Sequence, residues 1–179
     1  MLQRLRLAVL ATLVACGPLA SPTFAQAPAA SEQALKAVLF YKLALFTYRE
    51  RDGSDAPVLC TLGRTQLDEA LRSLVDTQAD GLPGRFRALR SPGEAGDCDF
   101  IFVGRSEADR LERLLVELAR PGLVTVSDIP GFARAGGMVE LGVKGRRDGL
   151  AIVINRRAAR IAGVEFMAQL LRLAEVSDD

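Results

Sequence analysis

Three cysteines, Cys16, Cys60 and Cys98, are the side chains best suited to covalent chemistry in this chain of 179 residues, and no histidine is present to activate them. Without an imidazole there is no Ser-His-Asp or Cys-His nucleophile and no histidine-bearing zinc site, which removes most hydrolase and metalloprotein readings. Nor are any two cysteines spaced as the C-x-x-C of a thiol oxidoreductase. Asp97 and Asp99 flank Cys98; paired acids run glycoside and phosphoryl chemistry, but two at i and i+2 beside a strand end are more ordinarily solvated. Neither G-x-x-x-x-G-K-[ST] nor a helix-opening G-x-G-x-x-G occurs, and Gly142, Gly145 and Gly149 read as parts of a hairpin. We assign no catalytic, cofactor-binding or metal-binding residue and expect a protein that is not an enzyme.

The thiols find a simpler use in an exported protein. Residues 1–25 have the parts of a secretory signal: a basic start with Arg4 and Arg6, an apolar run from Leu7 to Ala15, and small residues beyond. The run is too short to span a bilayer as a helix. Two processing sites compete, Thr23-Phe24-Ala25 before Gln26 and a lipobox-like Leu13-Val14-Ala15-Cys16 that would lipidate Cys16 and leave 1–15 as the signal. In the second case the Pro/Ala-rich stretch from Gly17 to Ala30 would tether the anchor to the domain. Residues 26–31 are expected as a disordered linker and 32–179 as a single domain, located in the periplasm. There Cys60 and Cys98 are expected to oxidise to a structural disulfide, whose loop of roughly 40 residues is worth about 4 kcal/mol in the chain-entropy model.

Charge points away from polyanions. Taking Arg4 and Arg6 from the 23 basic residues leaves 21 against 22 acidic ones, so nucleic acid is not an expected partner. Arg146-Arg147 and Arg156-Arg157 with Arg160 are local exceptions that suit an anion site or a protein-docking patch, although turns and helix starts attract such charges routinely. In Asp128-Ile129-Pro130-Gly131-Phe132 an aromatic follows a Pro-Gly turn, and its ring either stands on the surface or folds back into the core.

Periodicity supplies the elements that must carry these residues. Leu35, Val38, Leu39, Leu43 and Phe46 follow helical spacing from Ser31 to Glu50, with Phe40, Tyr41 and Leu45 widening the stripe. So wide an apolar face makes a homodimer a reasonable expectation. Strands are expected at 57–62, 85–89, 98–103, 123–126, 138–143 and 150–154, the last two as a hairpin around 145–149. Thr65 and Ser106, each with an acid three residues on, open helices reaching about Thr77 and Leu118, and Asn155 caps a short one. Phe166 to Ala174 ends the pattern as a helix or extended edge. The fold class is α/β: a layered domain with a mixed sheet of about five to six strands covered by helices and a C-terminal hairpin.

Several ordered blocks resemble the YfiR family. They are Leu123-Val124-Thr125-Val126-Ser127-Asp128-Ile129-Pro130-Gly131-Phe132, then Gly136-Gly137-Met138, Ile154-Asn155 and Gln169-Leu170-Leu171-Arg172-Leu173-Ala174. The family's early helix is matched by Ala37-Val38-Leu39-Phe40-Tyr41-Lys42 and Phe46-Thr47, and its cysteine pair by Cys60 before Thr61-Leu62-Gly63 and Cys98 before Asp99-Phe100-Ile101-Phe102-Val103. The resemblance implies a periplasmic repressor of an inner-membrane diguanylate cyclase of the YfiN type, released when an outer-membrane YfiB-like lipoprotein sequesters it. Cyclic-di-GMP signalling and biofilm formation would then follow. Candidate contact residues are Phe46, Tyr48, Phe132 and Arg134; a periplasmic small-molecule binding module, walled by the first helix and the loop from Asp128 to Gly137, is the alternative. Arg49-Glu50 stand where the family's first helix ends in Trp-Pro.

Overall fold

Strands buried on both faces are near-continuous apolar runs, and Val58–Leu62, Phe100–Val103 and Val124–Ser127 are buried at every position, with Thr61, Thr125 and Ser127 as the polar exceptions. A computed structural model describes residues 28–49, 56–78, 81, 83–144 and 149–177. In chain order the elements are α1 (Pro28–Leu43), β1 (Thr47–Arg49), β2 (Val58–Leu62), α2 (Asp68–Asp76), β3 (Arg85–Leu89), β4 (Phe100–Val103), α3 (Leu111–Glu117), β5 (Val124–Ser127), β6 (Val139–Lys144), β7 (Gly149–Asn155), α4 (Arg156–Ile161), β8 (Val164–Phe166), α5 (Ala168–Leu173) and β9 (Glu175–Ser177).

Seven strands form one mixed sheet in the order β3-β2-β4-β5-β6-β7-β9. The five from β3 to β6 run parallel, β7 returns antiparallel against β6, and β9 lies parallel to β7. The α/β class and the hairpin pairing agree with the sequence reading; the seventh strand is the three-residue β9, too short to register as a period. Alternation divides the core. Leu59, Phe100, Phe102, Val124 and Val126 pack beneath α1 and α2 with Phe40 and Leu71, while Cys60, Leu62, Ile101 and Val103 face Leu111 and Leu114 of α3. Phe40 meets Phe102 edge-on, with ring centroids 5.7 Å apart.

Three expectations change. The first helix begins at Pro28 and ends at Leu43, so residues 28–31 are helical and not linker: proline at the start and two alanines favour that conformation. Beyond a turn of 3-10 helix at Ala44–Phe46, Thr47–Arg49 becomes a strand paired antiparallel with β8, the β-branched and aromatic residues there taking the pleat. Thr65 and Ser106 do not cap helices. Thr65 Oγ1 accepts from Leu67 N–H, Ser106 Oγ accepts from Arg64 N–H, and a 3-10 turn at Arg105–Arg110 precedes α3. Asn155 does cap α4, its side chain accepting from Ala158 N–H. The leader, Cys16, Glu50 and Arg146-Arg147 lie outside the described residues.

Candidate functional site

The chain leaves β2 through α2 on one face of the sheet and leaves β4 through α3 on the other. Adjacent strands whose connections diverge create a switch point at their carboxyl ends, the usual ligand crevice of open α/β sheets. Here the protein's own charged groups occupy it. Gly63, with φ +82°, follows β2, and a Cβ there would stand 2.6 Å from both Ser106 Oγ and Glu107 Oε1. Gly104 follows β4, and its Cβ would stand 2.6 Å from the Arg64 carbonyl oxygen. Glycine at both positions lets the two loops interlock. Glu107, buried between them, accepts from Arg110 Nε at 2.6 Å.

The next strand end carries the deepest charge. Asp128, just beyond β5, accepts from Lys36 Nζ at 2.7 Å and from Arg105 Nε at 3.1 Å. Lys36 is only 1% exposed and reaches Glu32 Oε1 on its own helix at 2.7 Å. An ammonium held between two carboxylates acts as a fastener rather than a nucleophile: it joins the middle of α1 to the start of the loop at 128–137. That ion pair stands where the sequence reading set a small-molecule pocket between α1 and the loop.

The loop itself is wired from beneath. Ser127 Oγ donates to the Val103 carbonyl at 2.7 Å and accepts from Ile129 N–H, while the Glu140 carboxylate accepts from Gly131 N–H at 3.0 Å and Ala133 N–H at 3.1 Å. Asn155 Nδ2 donates to the Ala133 carbonyl at 2.8 Å. Phe132 is fully buried, its ring lying where a Cβ on Gly137 would be, 2.1 Å from Cε1. Of the two readings of this aromatic, the structure has the one in which it folds into the core. Pro130, Arg134, Ala135 and Gly136 form the exposed crest of the loop.

Phe46 is half-buried in the turn after α1, and Tyr48, 61% exposed, stands opposite Glu165 in the β1–β8 ribbon. Ala162, just before that ribbon's second strand, accepts from Gly122 N–H at the amino end of β5, whereas the loop with Phe132 and Arg134 leaves the carboxyl end. The structure therefore does not bring the four candidate contact residues into one patch.

At the amino ends of β2, β3 and β4 a groove of about 1130 Å³ is lined by Arg85, Arg87, Asp97, Asp99 and Arg120, among others. Its floor includes Cys98, which is bonded to Cys60 with the Cα atoms 6.0 Å apart, both residues being buried. Arg120 donates to the carbonyls of Ala95 and Cys98. The two acids flanking Cys98 differ: Asp97 is exposed and meets Arg87, whereas Asp99 is buried and accepts from Val58 N–H at 2.7 Å. The expectation of two solvated acids therefore holds for Asp97 alone, because Asp99 turns inward to satisfy the first amide of β2. Arg156, Arg157 and Arg160 are exposed on α4. Among the described residues no cluster of three or more His, Cys, Asp or Glu could hold a metal ion, and no helix is long and apolar enough to cross a membrane.

Sequence reasoning missed Lys36, Asp128 and Arg105 as a group. The available signal was a lysine one turn before Phe40 on the buried stripe of an apolar helix.

Residues 33–175 match the family model described as YfiR/HmsC-like. No curated protein matches the chain. Among solved structures, a conserved domain protein from Vibrio cholerae O1 biovar eltor is similar with a TM-score of 0.56 at 13% identity, covering 80% of this chain and 59% of its own. The ABC domain from Streptococcus pneumoniae, solved in complex with L-Trp, is similar with a TM-score of 0.51 at 14% identity, covering 81% and 60%. The chain thus spans under two thirds of each neighbour's length, and at such identities the likeness is one of fold.

Proposed function

The chain belongs to the YfiR/HmsC-like family, and from that premise we propose that it is a periplasmic regulator that binds and represses a membrane-bound diguanylate cyclase of the YfiN type. The observation that carries this reading is the family match over residues 33–175. Chemistry supports it: the candidate crevice is filled by Glu107 and its partners, and the Cys60–Cys98 bond suits an oxidising compartment. On this reading residues 1–25 are an export signal, or 1–15 a lipoprotein signal with Cys16 as the anchor.

Repression by a protein without catalysis is differential binding. Moving a cyclase from about 99% active to about 99% inactive takes an affinity difference between its two states of about 10⁴-fold. Tyr48 on the β1–β8 ribbon and Arg134 on the loop crest offer two separated contact points, with Phe46 and Phe132 holding the backbone beneath them. A YfiB-like lipoprotein competing for the same surface would release the cyclase.

The test is a pull-down from detergent-solubilised envelope with a tagged chain from Gln26, with cyclic-di-GMP measured in deletion and wild-type cells. Recovery of a membrane diguanylate cyclase and a raised cyclic-di-GMP level on deletion are expected; no cyclase and an unchanged level would sink the proposal. A second reading, a small-molecule module, is favoured by the groove of about 1130 Å³ at the amino ends of β2 to β4. It requires a ligand that raises the melting temperature, by mass action about 2.7 kcal/mol of stabilisation at a hundred times Kd.

A further inference from the structure

β3 forms one edge of the seven-stranded sheet, hydrogen-bonded to β2 alone. Arg85 N–H donates to the Pro57 carbonyl at 2.9 Å, so Arg85, Arg87 and Leu89 turn their main-chain groups towards β2. Alternation then points the N–H and C=O of Phe86 and Ala88 outward, where no strand among the described residues meets them. The next outward donor, Arg90 N–H, is taken by Glu94 Oε2 at 3.5 Å. Two residues with four outward main-chain groups are therefore presented just before an end closed at Arg90, at the scale of strand addition by a short extended segment.

The side chains specify what such a segment would carry. Arg85, Arg87 and Ala88 are exposed, and Arg85 and Arg87 project on the same face of the strand. On the other face Phe86 lies beneath the Arg72 guanidinium, 5.4 Å from its ring centroid. Asp97 meets Arg87 through an exposed contact at 3.3 Å, whereas neither Arg72 nor Arg85 has a carboxylate partner among the described residues. A second copy of this chain is a poor occupant, because antiparallel pairing about Arg87 sets arginine against arginine, and like charges directly opposite destabilise a strand pair.

We propose that the β3 edge docks an extended, acidic segment of a partner protein, which adds to the sheet through Phe86 and Ala88 and sets carboxylates against Arg85 and Arg87. The surface is independent of whether the partner is a cyclase, and its chemistry is tested with a probe of defined sequence.

The probe is a synthetic peptide of about eight residues alternating Glu and Val, long enough to cover one strand, with a Lys-Val counterpart as control. Amide exchange in the ¹⁵N-labelled full mature chain is expected to slow about tenfold or more at Phe86 and Ala88 on adding the Glu peptide, and to stay unchanged at Arg85 and Arg87, whose amides the ladder already holds. Ala88→Pro removes an outward N–H that the fold does not use, a substitution tolerated on an edge strand, and should weaken peptide binding about tenfold. Arg87→Glu, at an exposed position, should do the same by charge, and added salt should weaken the wild-type complex. The proposal is overturned if the Glu peptide gives no protection at Phe86 and Ala88, if the Lys peptide binds as tightly, or if folded Ala88→Pro or Arg87→Glu binds like the wild type.

Discussion

Replacing Asp128 with alanine tests whether the Lys36 clasp holds the first helix in place. The substitution removes the carboxylate that Lys36 Nζ contacts at 2.7 Å and Arg105 Nε at 3.1 Å. Arg105, with its side chain 61% exposed, returns to water at little cost. Lys36, 1% exposed, retains only Glu32, whose side chain is 39% exposed. Removing one partner of a fully buried pair costs about 3–5 kcal/mol, and the remaining Glu32 contact brings this to about 2–3 kcal/mol. At about 3 °C per kcal/mol for a domain of this size, the melting temperature should fall by about 6–9 °C. Lys36→Met keeps the buried stem and leaves Asp128 beside Arg105, so it should cost only about 1 kcal/mol. The double variant leaves no unpaired buried charge and should be more stable than the two losses added together, with a coupling of about 1–2 kcal/mol. Urea unfolding with unchanged m-values measures all three. The reasoning is refuted if Asp128→Ala costs under about 0.5 kcal/mol or if the two single losses add within about 0.5 kcal/mol.

Other expectations follow from the same packing. Cys60→Ser with Cys98→Ser opens a loop with a sequence separation of 38 and should cost about 4 kcal/mol, read as a lower urea midpoint. Gly137→Ala drives a methyl group into the Phe132 ring and should destabilise by about 1–3 kcal/mol, with new exchange at the loop amides of Gly131 and Ala133. Asn155→Ala removes both the α4 cap and the bond to the Ala133 carbonyl, an expected loss of about 2 kcal/mol, while Asn155→Asp restores the cap alone.

Where one local rule decided an element, the sequence was readable. The continuous apolar runs at Val58–Leu62 and Phe100–Val103 could hardly be anything but central strands, and Asn155 before Arg156 could cap only in one direction. Rules failed where a distant partner outbid a local one. Ser106 had the acid three residues on that marks a capping box, yet its hydroxyl serves Arg64 N–H across the switch point, 42 residues away. Thr47–Arg49 fell inside the span from Ser31 to Glu50 read as helix, but β8, more than a hundred residues later, offered it a ladder. Strand pairing of that range leaves no local trace.

The candidate site was hidden for the same reason, but not wholly. Lys36 lies on the stripe of α1 that continues to Phe40 and Leu43, where a charge must find a partner or unfold the helix's buried face. The lysine on that stripe was the only trace the sequence held, and it did not point to Asp128, because Lys36 and Asp128 are 92 residues apart. On the proposed regulatory reading that separation has a consequence. The carboxylate that seats α1 also begins the loop whose crest carries Arg134, and the same loop is held at its middle by Glu140 and Asn155. On that reading, a partner that displaced either α1 or the loop would work against the same ion pair. The expected outcome is that a double-mutant cycle between α1 and the loop shows an interaction energy that disappears in the Asp128→Ala background, whereas two independent contacts would add in both backgrounds.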